Sequence, residues 1–207
     1  MVILVIDVLY TIGYSGYKIE NFLEEIKKHG ISTIIDVRSN PYSQYYVDYN
    51  KEVLNDFLTK NRIYYRNYAK EFGAQQKNPA YYSTRGYLDF NKFVQSDDFL
   101  NGVEKLKNGM LKGYHFALMC AEKDPIDCHR TIMITREFSK LGYKIIHLLP
   151  TGDEQSQDDI ELRLLNHYFP NRDQVNLFED QLLSRHELIT LAYEKKNAEI
   201  GYTLGRE

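Results

Sequence analysis

Short apolar runs alternate with amphipathic stretches along most of the chain, and this alternation predicts a parallel α/β sheet. The run Met1-Val-Ile-Leu-Val-Ile-Asp-Val-Leu opens it. A first strand is expected within residues 2–12. A helix follows with Ile19, Phe22, Leu23 and Ile26 on one face, stopping at Gly30. Thr33-Ile-Ile-Asp36-Val37 reads as a second, buried strand. A helix over 51–60 carries Val53, Leu54, Phe57 and Leu58, and Ile63-Tyr-Tyr65 is a short strand. Residues 67–86, with Gly73, Pro79 and Gly86, read as an irregular excursion, and helices fit Tyr87–Val94 and Asp97–Lys107. His115 to Cys120 is strand-like, residues 129–141 are helical, and Lys144 to Leu149 reads as the last strand, with a loop from Pro150 to Gln155.

Two helices complete the pattern. Residues 157–168 begin with Ser156 and Asp159 in capping-box spacing. Residues 179–198 place Leu182, Leu183, Ile189, Ala192 and Tyr193 on one face. The expected architecture is therefore a mostly parallel sheet flanked by helices over residues 1–150. A C-terminal helical extension over 151–207 is expected to pack on the same domain.

Composition narrows the functional classes. The chain has 207 residues, 43% hydrophobic and 27% charged, enough to build a core. A net charge of -3 argues against a protein that coats nucleic acid through a strongly basic surface. Two cysteines do not make a disulfide framework, so a cytoplasmic setting is expected. The opening run is too short to span a bilayer, is broken by Asp7, and lacks the marks of a signal peptide, so no membrane association is expected. The 18 tyrosines include two groups interleaved with polar residues, Pro41 to Tyr49 and Tyr64 to Tyr68. These groups suit either the rim of a core or stacking on unpaired bases.

The strand ends carry the chemistry. In doubly wound sheets ligands bind beyond the carboxyl ends of the strands. There the sequence places Gly13 and Ser15, then Asp36, Arg38 and Ser39, then Cys120 and Glu122, then Cys128-His129-Arg130 at a helix start, with His147 near the last strand end. A cysteine at a helix N-terminus beside Arg or His⁺ gains thiolate character. Arg38 and Arg130 can each grip an anion through a fork of N–H groups. Cys128, His129, Cys120, Glu122 and Asp36 are thus candidate catalytic residues, and Arg38, Arg130, Ser39, Gly13 and Ser15 candidate substrate contacts. Cys120 reads equally as a core thiol, and Asp36 and Arg38 as an ion pair that fixes a loop, whereas His147 reads first as a satisfied strand-end histidine.

Cys120, Cys128 and His129, with Asp36 or Glu122, would also suit zinc or iron in softness. The spacing matches no standard zinc pattern, however, and adjacent Cys128 and His129 are expected to diverge at a helix start. A metal is therefore an open reading that is not favoured, and the cofactor is left unassigned.

Thr11-Ile-Gly-Tyr-Ser15, Asp36-Val-Arg-Ser-Asn-Pro41 and Met119-Cys-Ala-Glu-Lys-Asp-Pro with Cys128-His-Arg130 resemble the bacterial and archaeal domain of unknown function 488 family over residues 10–149. Tyr14 stands where that family usually has His, and Phe72-Gly73-Ala74 where it has Leu-Gly-Gly. The resemblance implies an α/β domain with a shared strand-end site, and it implies no reaction. The functional expectation is an enzyme acting on an anionic, phosphate-bearing substrate. The alternatives are a nucleic-acid-associated module and a scaffold that has lost its chemistry. Gln174-Val-Asn-Leu177-Phe178 resembles the short peptide by which bacterial replication and repair proteins dock on the sliding clamp. The favoured reading is a hydrophobic staple for the helix that follows.

Overall fold

The computed structural model describes residues 8–172 and 183–204. Six strands form one sheet in the order β3-β2-β4-β1-β5-β6. They are β1 (Val8–Gly13), β2 (Thr33–Asp36), β3 (Tyr64–Asn67), β4 (Phe116–Cys120), β5 (Lys144–Leu148) and β6 (Glu154–Ser156). The first five are mutually parallel, and β6 pairs antiparallel with β5. The α/β architecture expected from the sequence is the one observed.

Alternation within the strands divides the core in two, because successive side chains leave opposite faces of a sheet. Leu9, Ile35, Phe116 and Leu118 enter one cluster, and Ile12, Ile34, Ala117 and Met119 the other. Helices α1 (Ile19–Lys28) and α2 (Lys51–Lys60) cover the second face with Phe22, Ile26, Leu54 and Leu58. The first face is covered by α5 (Asp97–Leu111), which follows the one-turn helices α3 (Ala69–Phe72) and α4 (Phe90–Phe93). It is covered further on by α6 (Arg136–Lys140), α7 (Gln157–Tyr168) and α8 (Arg185–Ile200). A wide π turn, Arg130–Thr135, leads into α6, and all six of its residues are buried. A helical segment buried all round has protein on every side rather than one apolar stripe.

The order of strands creates the site. After β1 the chain runs over one face to β2, whereas after β4 it runs over the other face to β5. The exits from neighbouring β1 and β4 thus part in opposite directions, which opens a crevice at their carboxyl ends. Gly13 and Cys120, paired across these two strands, mark the spot.

The differences from expectation have local causes. Strand β6 falls in the expected loop: its polar Glu-Gln-Ser has no apolar alternation to announce it. The helix expected over Tyr87–Val94 shrinks to Phe90–Phe93, because Asp89 caps it by accepting from Lys92 N, and Tyr87 and Leu88 instead make backbone bridges. The capping box at Ser156 and Asp159 is present. Residues 1–7 of the opening run, the start of the helix expected over 179–198, and Gln174 to Phe178 lie outside the described residues.

Helix α8 is fastened by Asn197, whose Oδ1 accepts from Phe90 N at 2.9 Å and whose Nδ2 donates to Leu88 O at 2.8 Å. Both bonds are buried, and Asn197→Ala leaves a buried donor and a buried acceptor unpaired. The expected loss is about 2–4 kcal/mol, read as a lower urea midpoint with an unchanged slope. A midpoint within error of wild type would show that the fastening contributes nothing.

Candidate functional site

Backbone pairing carries β1 and β4 past their formal ends: Tyr14 N donates to Cys120 O and Ser15 N to Ala121 O, both at 3.0 Å. Here Gly13 is needed for space. A Cβ at this position would press into the Glu122 carbonyl oxygen, with Arg130 Nη2 close behind. The same carbonyl accepts from Arg130 Nη1 at 2.8 Å. Glycine therefore lets the loop after β4 lie against β1 and meet the guanidinium.

The loop turns through a short 3-10 segment, Pro125–Asp127, capped by Asp124, and reaches Cys128. Cys128 is still extended (φ -127, ψ 137), whereas His129 has already turned helical (φ -60, ψ -26). This corrects the expectation that the adjacent pair would diverge. The change of backbone conformation between them swings both side chains toward one point. The Cys128 carbonyl accepts from Thr131 N and Ile132 N, each at 3.0 Å, so the cysteine does sit at a helix start.

Four reactive side chains meet there. His129 Nδ1 lies 3.8 Å from Cys120 Sγ and 3.9 Å from Cys128 Sγ, and Cys128 Sγ lies 2.8 Å from Glu122 Oε2. One ligand-type atom from each of Cys120, Glu122, Cys128 and His129 falls within 4.8 Å of all the others. His129 Nε2 is 3.1 Å from the Val37 carbonyl, which can only accept, so the ring carries a proton on Nε2 and turns Nδ1 toward the sulfurs.

The electrostatics differentiate the two thiols. Burial pushes the Cys128 thiol up, but a hydrogen bond from Cys120, the Arg130 charge and His129 more than reverse this and hold it well below its usual range. Cys120 moves the opposite way, raised by burial and then by its contact with Cys128. Glu122 is raised by burial and by the Cys128 charge. Burial works against protonating His129, yet Cys128 and Glu122 raise it overall.

Arg38, held from behind by Asp36, forms the wall on the β2 side. Asp36 accepts from Arg38 N, Nε and Nη2 at 3.0, 2.9 and 2.6 Å, and from the Tyr65 hydroxyl at 2.6 Å. These donors saturate the carboxylate, which orients Arg38 and stands apart from the four-residue cluster. The guanidinium also donates to Tyr49 O and lies 5.0 Å from the Tyr14 ring centre, and its Nη1 is buried with no hydrogen-bond partner. Tyr14, the residue at the family's His position, stacks on Tyr49 at 4.4 Å.

A cleft of about 410 Å³ opens over this floor, lined in part by Tyr14, Arg38, Ser39, Cys120, Glu122 and His129. Of the other expected site residues, Gly13, Ser15, Asp36, Cys128 and Arg130 do not line it. Ser39 Oγ accepts from Gln75 N at 2.8 Å, which ties β2's exit to the 73–75 turn.

Behind the cluster runs a buried chain of hydrogen bonds. Arg130 Nε donates to Thr11 Oγ1 (3.4 Å), whose hydroxyl meets His147 Nδ1 (2.9 Å). His147 Nε2 meets Gln157 Oε1 (3.2 Å), Gln157 Nε2 donates to the Tyr193 hydroxyl (2.7 Å), and that hydroxyl reaches Glu161 (3.5 Å). One assignment satisfies every member: each group accepts from its predecessor and donates to its successor. His147 is then neutral with its proton on Nε2. Burial first, and then the Arg130 charge, bring its pKa down to about 3. The sequence pointed to His147 and placed Tyr193 on a helix face, but gave no sign of Gln157. A glutamine at the first turn of a capped helix gives no sign that it is buried.

An α/β protein whose reactive side chains gather at a sheet switch point is thus defined by fold and geometry. Residues 18–136 match the model of the family described as domain of unknown function DUF488, and the chain belongs to that family. No curated protein and no solved structure matches it.

Two outcomes follow from this geometry. Gly13→Ala should destabilise the fold by about 1–3 kcal/mol through overpacking and raise the alkylation rate of Cys128 as the loop is displaced. An unchanged melting curve and unchanged alkylation would contradict the close approach. Neutral His147 makes a contribution to stability that is complete above its unfolded pKa of about 6.5. That contribution is lost as pH falls toward the folded value of about 3. Between these limits the unfolded chain binds the extra proton, so stability should fall by up to about 1.4 kcal/mol per pH unit. Denaturation of wild type and His147→Gln at several pH values reads the difference in slope. Equal slopes would mean that the ring is protonated in the fold.

Proposed function

We propose that this protein is an enzyme acting on a small phosphate-bearing substrate, with a nucleotide as the substrate class best suited to the cleft. The observation that carries this reading is the gathering of Cys120, Glu122 and His129 at the floor of a cleft, with Cys128 buried within 4.8 Å of them and Arg38 in the wall. A scaffold has no use for two thiols, a carboxyl and an imidazole forced together in a buried place, and such perturbed groups are characteristic of sites that perform chemistry.

In this reading Arg38, with Ser39 and Ser43 beside it, holds the anion. Arg38 supports that role with its buried, unpartnered Nη1. Tyr42, half exposed on the wall, supplies a flat surface for a base. Cys128, Glu122 and His129 supply the reactive atoms, and Glu122, with its raised pKa, carries the proton. Arg130 lies behind the cluster as a fixed positive charge. Two free cysteines fit a reducing cytoplasm. Among the described residues no helix is long and apolar enough to cross a membrane.

The test is a thermal-shift and turnover panel of orthophosphate, pyrophosphate, nucleotides and phosphorylated sugars. A ligand at about 100 times its Kd should add about 2.7 kcal/mol of stability. Cys128→Ala and Glu122→Gln should each lower turnover by about 100-fold or more with folding retained. Tyr42→Ala should weaken nucleotide binding about tenfold and leave orthophosphate binding unchanged. A panel with neither shift nor turnover, or full turnover in the Cys128 and Glu122 variants, would overturn the reading.

A further inference from the structure

The cluster has the composition, geometry and surroundings of a metal site. We infer that Cys120, Cys128 and His129 hold a divalent metal ion of the zinc class, with Glu122 as its displaceable fourth ligand.

The donor set comes first. Two thiolates, an imidazole nitrogen and a carboxylate oxygen are ligands of the softness and number that zinc takes in a tetrahedral site. Sulfur and nitrogen on one tetrahedral ion at ordinary bond lengths lie about 3.5 Å apart. The two sulfur–nitrogen separations here are 3.8 and 3.9 Å, so an ion needs only a few tenths of an ångström of adjustment. The Cys128–Glu122 contact of 2.8 Å must lengthen. It is also the edge with most freedom, because Glu122 is the member nearest solvent.

The histidine supplies the second argument. A metal-bound imidazole almost always gives its other N–H to a carbonyl or carboxylate, which fixes the ring and its tautomer. His129 meets this condition through the Val37 carbonyl and presents Nδ1 to both sulfurs. A thiol–imidazole pair needs one sulfur at that nitrogen, not two at equal distance.

Charge is the third. Two thiolates and a carboxylate on a divalent ion leave one negative charge in a buried place. Arg130 is 1% exposed, and among the described residues it makes no ion pair. It is bonded to the Glu122 backbone, directly behind the cluster. Its charge balances the complex, and this gives the buried guanidinium the partner it otherwise lacks.

The position of Glu122 at the cleft floor distinguishes this from a closed structural site, in which four protein ligands shut the ion away. A water or substrate oxygen arriving from the cleft can take its place on the ion. The displaced carboxylate then stands ready to accept a proton from a bound water, leaving a metal-bound hydroxide and a neutral Glu122. This catalytic use rests on the enzyme reading above, whereas the metal itself can be measured without any substrate.

The experiment is elemental analysis of the untagged full chain purified under reducing conditions, followed by cobalt substitution. The expected result is one equivalent of zinc-class metal per chain. The cobalt form should show thiolate-to-cobalt charge transfer and visible bands of tetrahedral intensity. Cys120→Ser with Cys128→Ser should abolish the charge-transfer bands, and Glu122→Gln should retain them with altered visible bands. Bound metal should protect both cysteines from iodoacetamide, and a chelator should remove the protection. The cobalt spectrum of the wild-type chain decides the matter even where a variant fails to fold. A chain that takes up no zinc or cobalt, or a cobalt form without thiolate bands, overturns the inference. Turnover without metal, abolished by alkylating Cys128, would overturn it while leaving the enzyme reading standing. Metal with the expected spectrum but no anion binding would sustain it and remove the enzyme reading.

Discussion

Burying the Arg130 guanidinium is the constraint on which the site end of this fold depends. A full charge removed from water costs several kcal/mol unless its N–H groups and its charge are both answered. The hydrogen bonds are answered by the Glu122 carbonyl and the Thr11 hydroxyl. The first of these requires the loop after β4 to lie flat against β1, and Gly13 alone permits that approach. The second begins a chain of donors that fixes the His147 tautomer and the orientation of Gln157. Loop, strand and two C-terminal helices are thereby held in one register by a single side chain. The reactive cluster stands in front of it.

The same constraint explains how different the two arginines near the cluster are. Arg38 carries its own counterion, Asp36, and lines the cleft. Arg130 has none among the described residues and lies behind the floor. From sequence both look like anion clamps in motifs of similar polarity. In the fold one lines the cleft and the other is buried behind its floor.

Much of this was legible in the sequence. Apolar runs of β-branched residues placed β2 and β5, amphipathic spacing placed α1, α2 and α5, and the capping box placed the start of α7. The neighbouring placement of Gly13, Asp36 and Cys120 followed from their common position at strand ends. What escaped was set by tertiary context. Strand β6 owes its pairing to a neighbour rather than to its own residues. The convergence of Cys128 and His129 depends on one pair of backbone angles that residue type does not dictate. The burial of Gln157 and Lys196 is decided by what packs above them.

The C-terminal helices do more than cover the sheet. Arg163 of α7 grips Asp124 through two bonds of 3.0 and 2.6 Å, and Lys196 of α8 meets Asp127 at 2.7 Å. Both acids belong to the loop that delivers Cys128, whereas the family match stops at residue 136. The recognised module is therefore smaller than the working one. A fragment cut at its boundary would keep every reactive side chain of the cluster and lose two of the struts that hold them in place. Transplanting that fragment into another protein would carry over the ingredients of the site without its geometry.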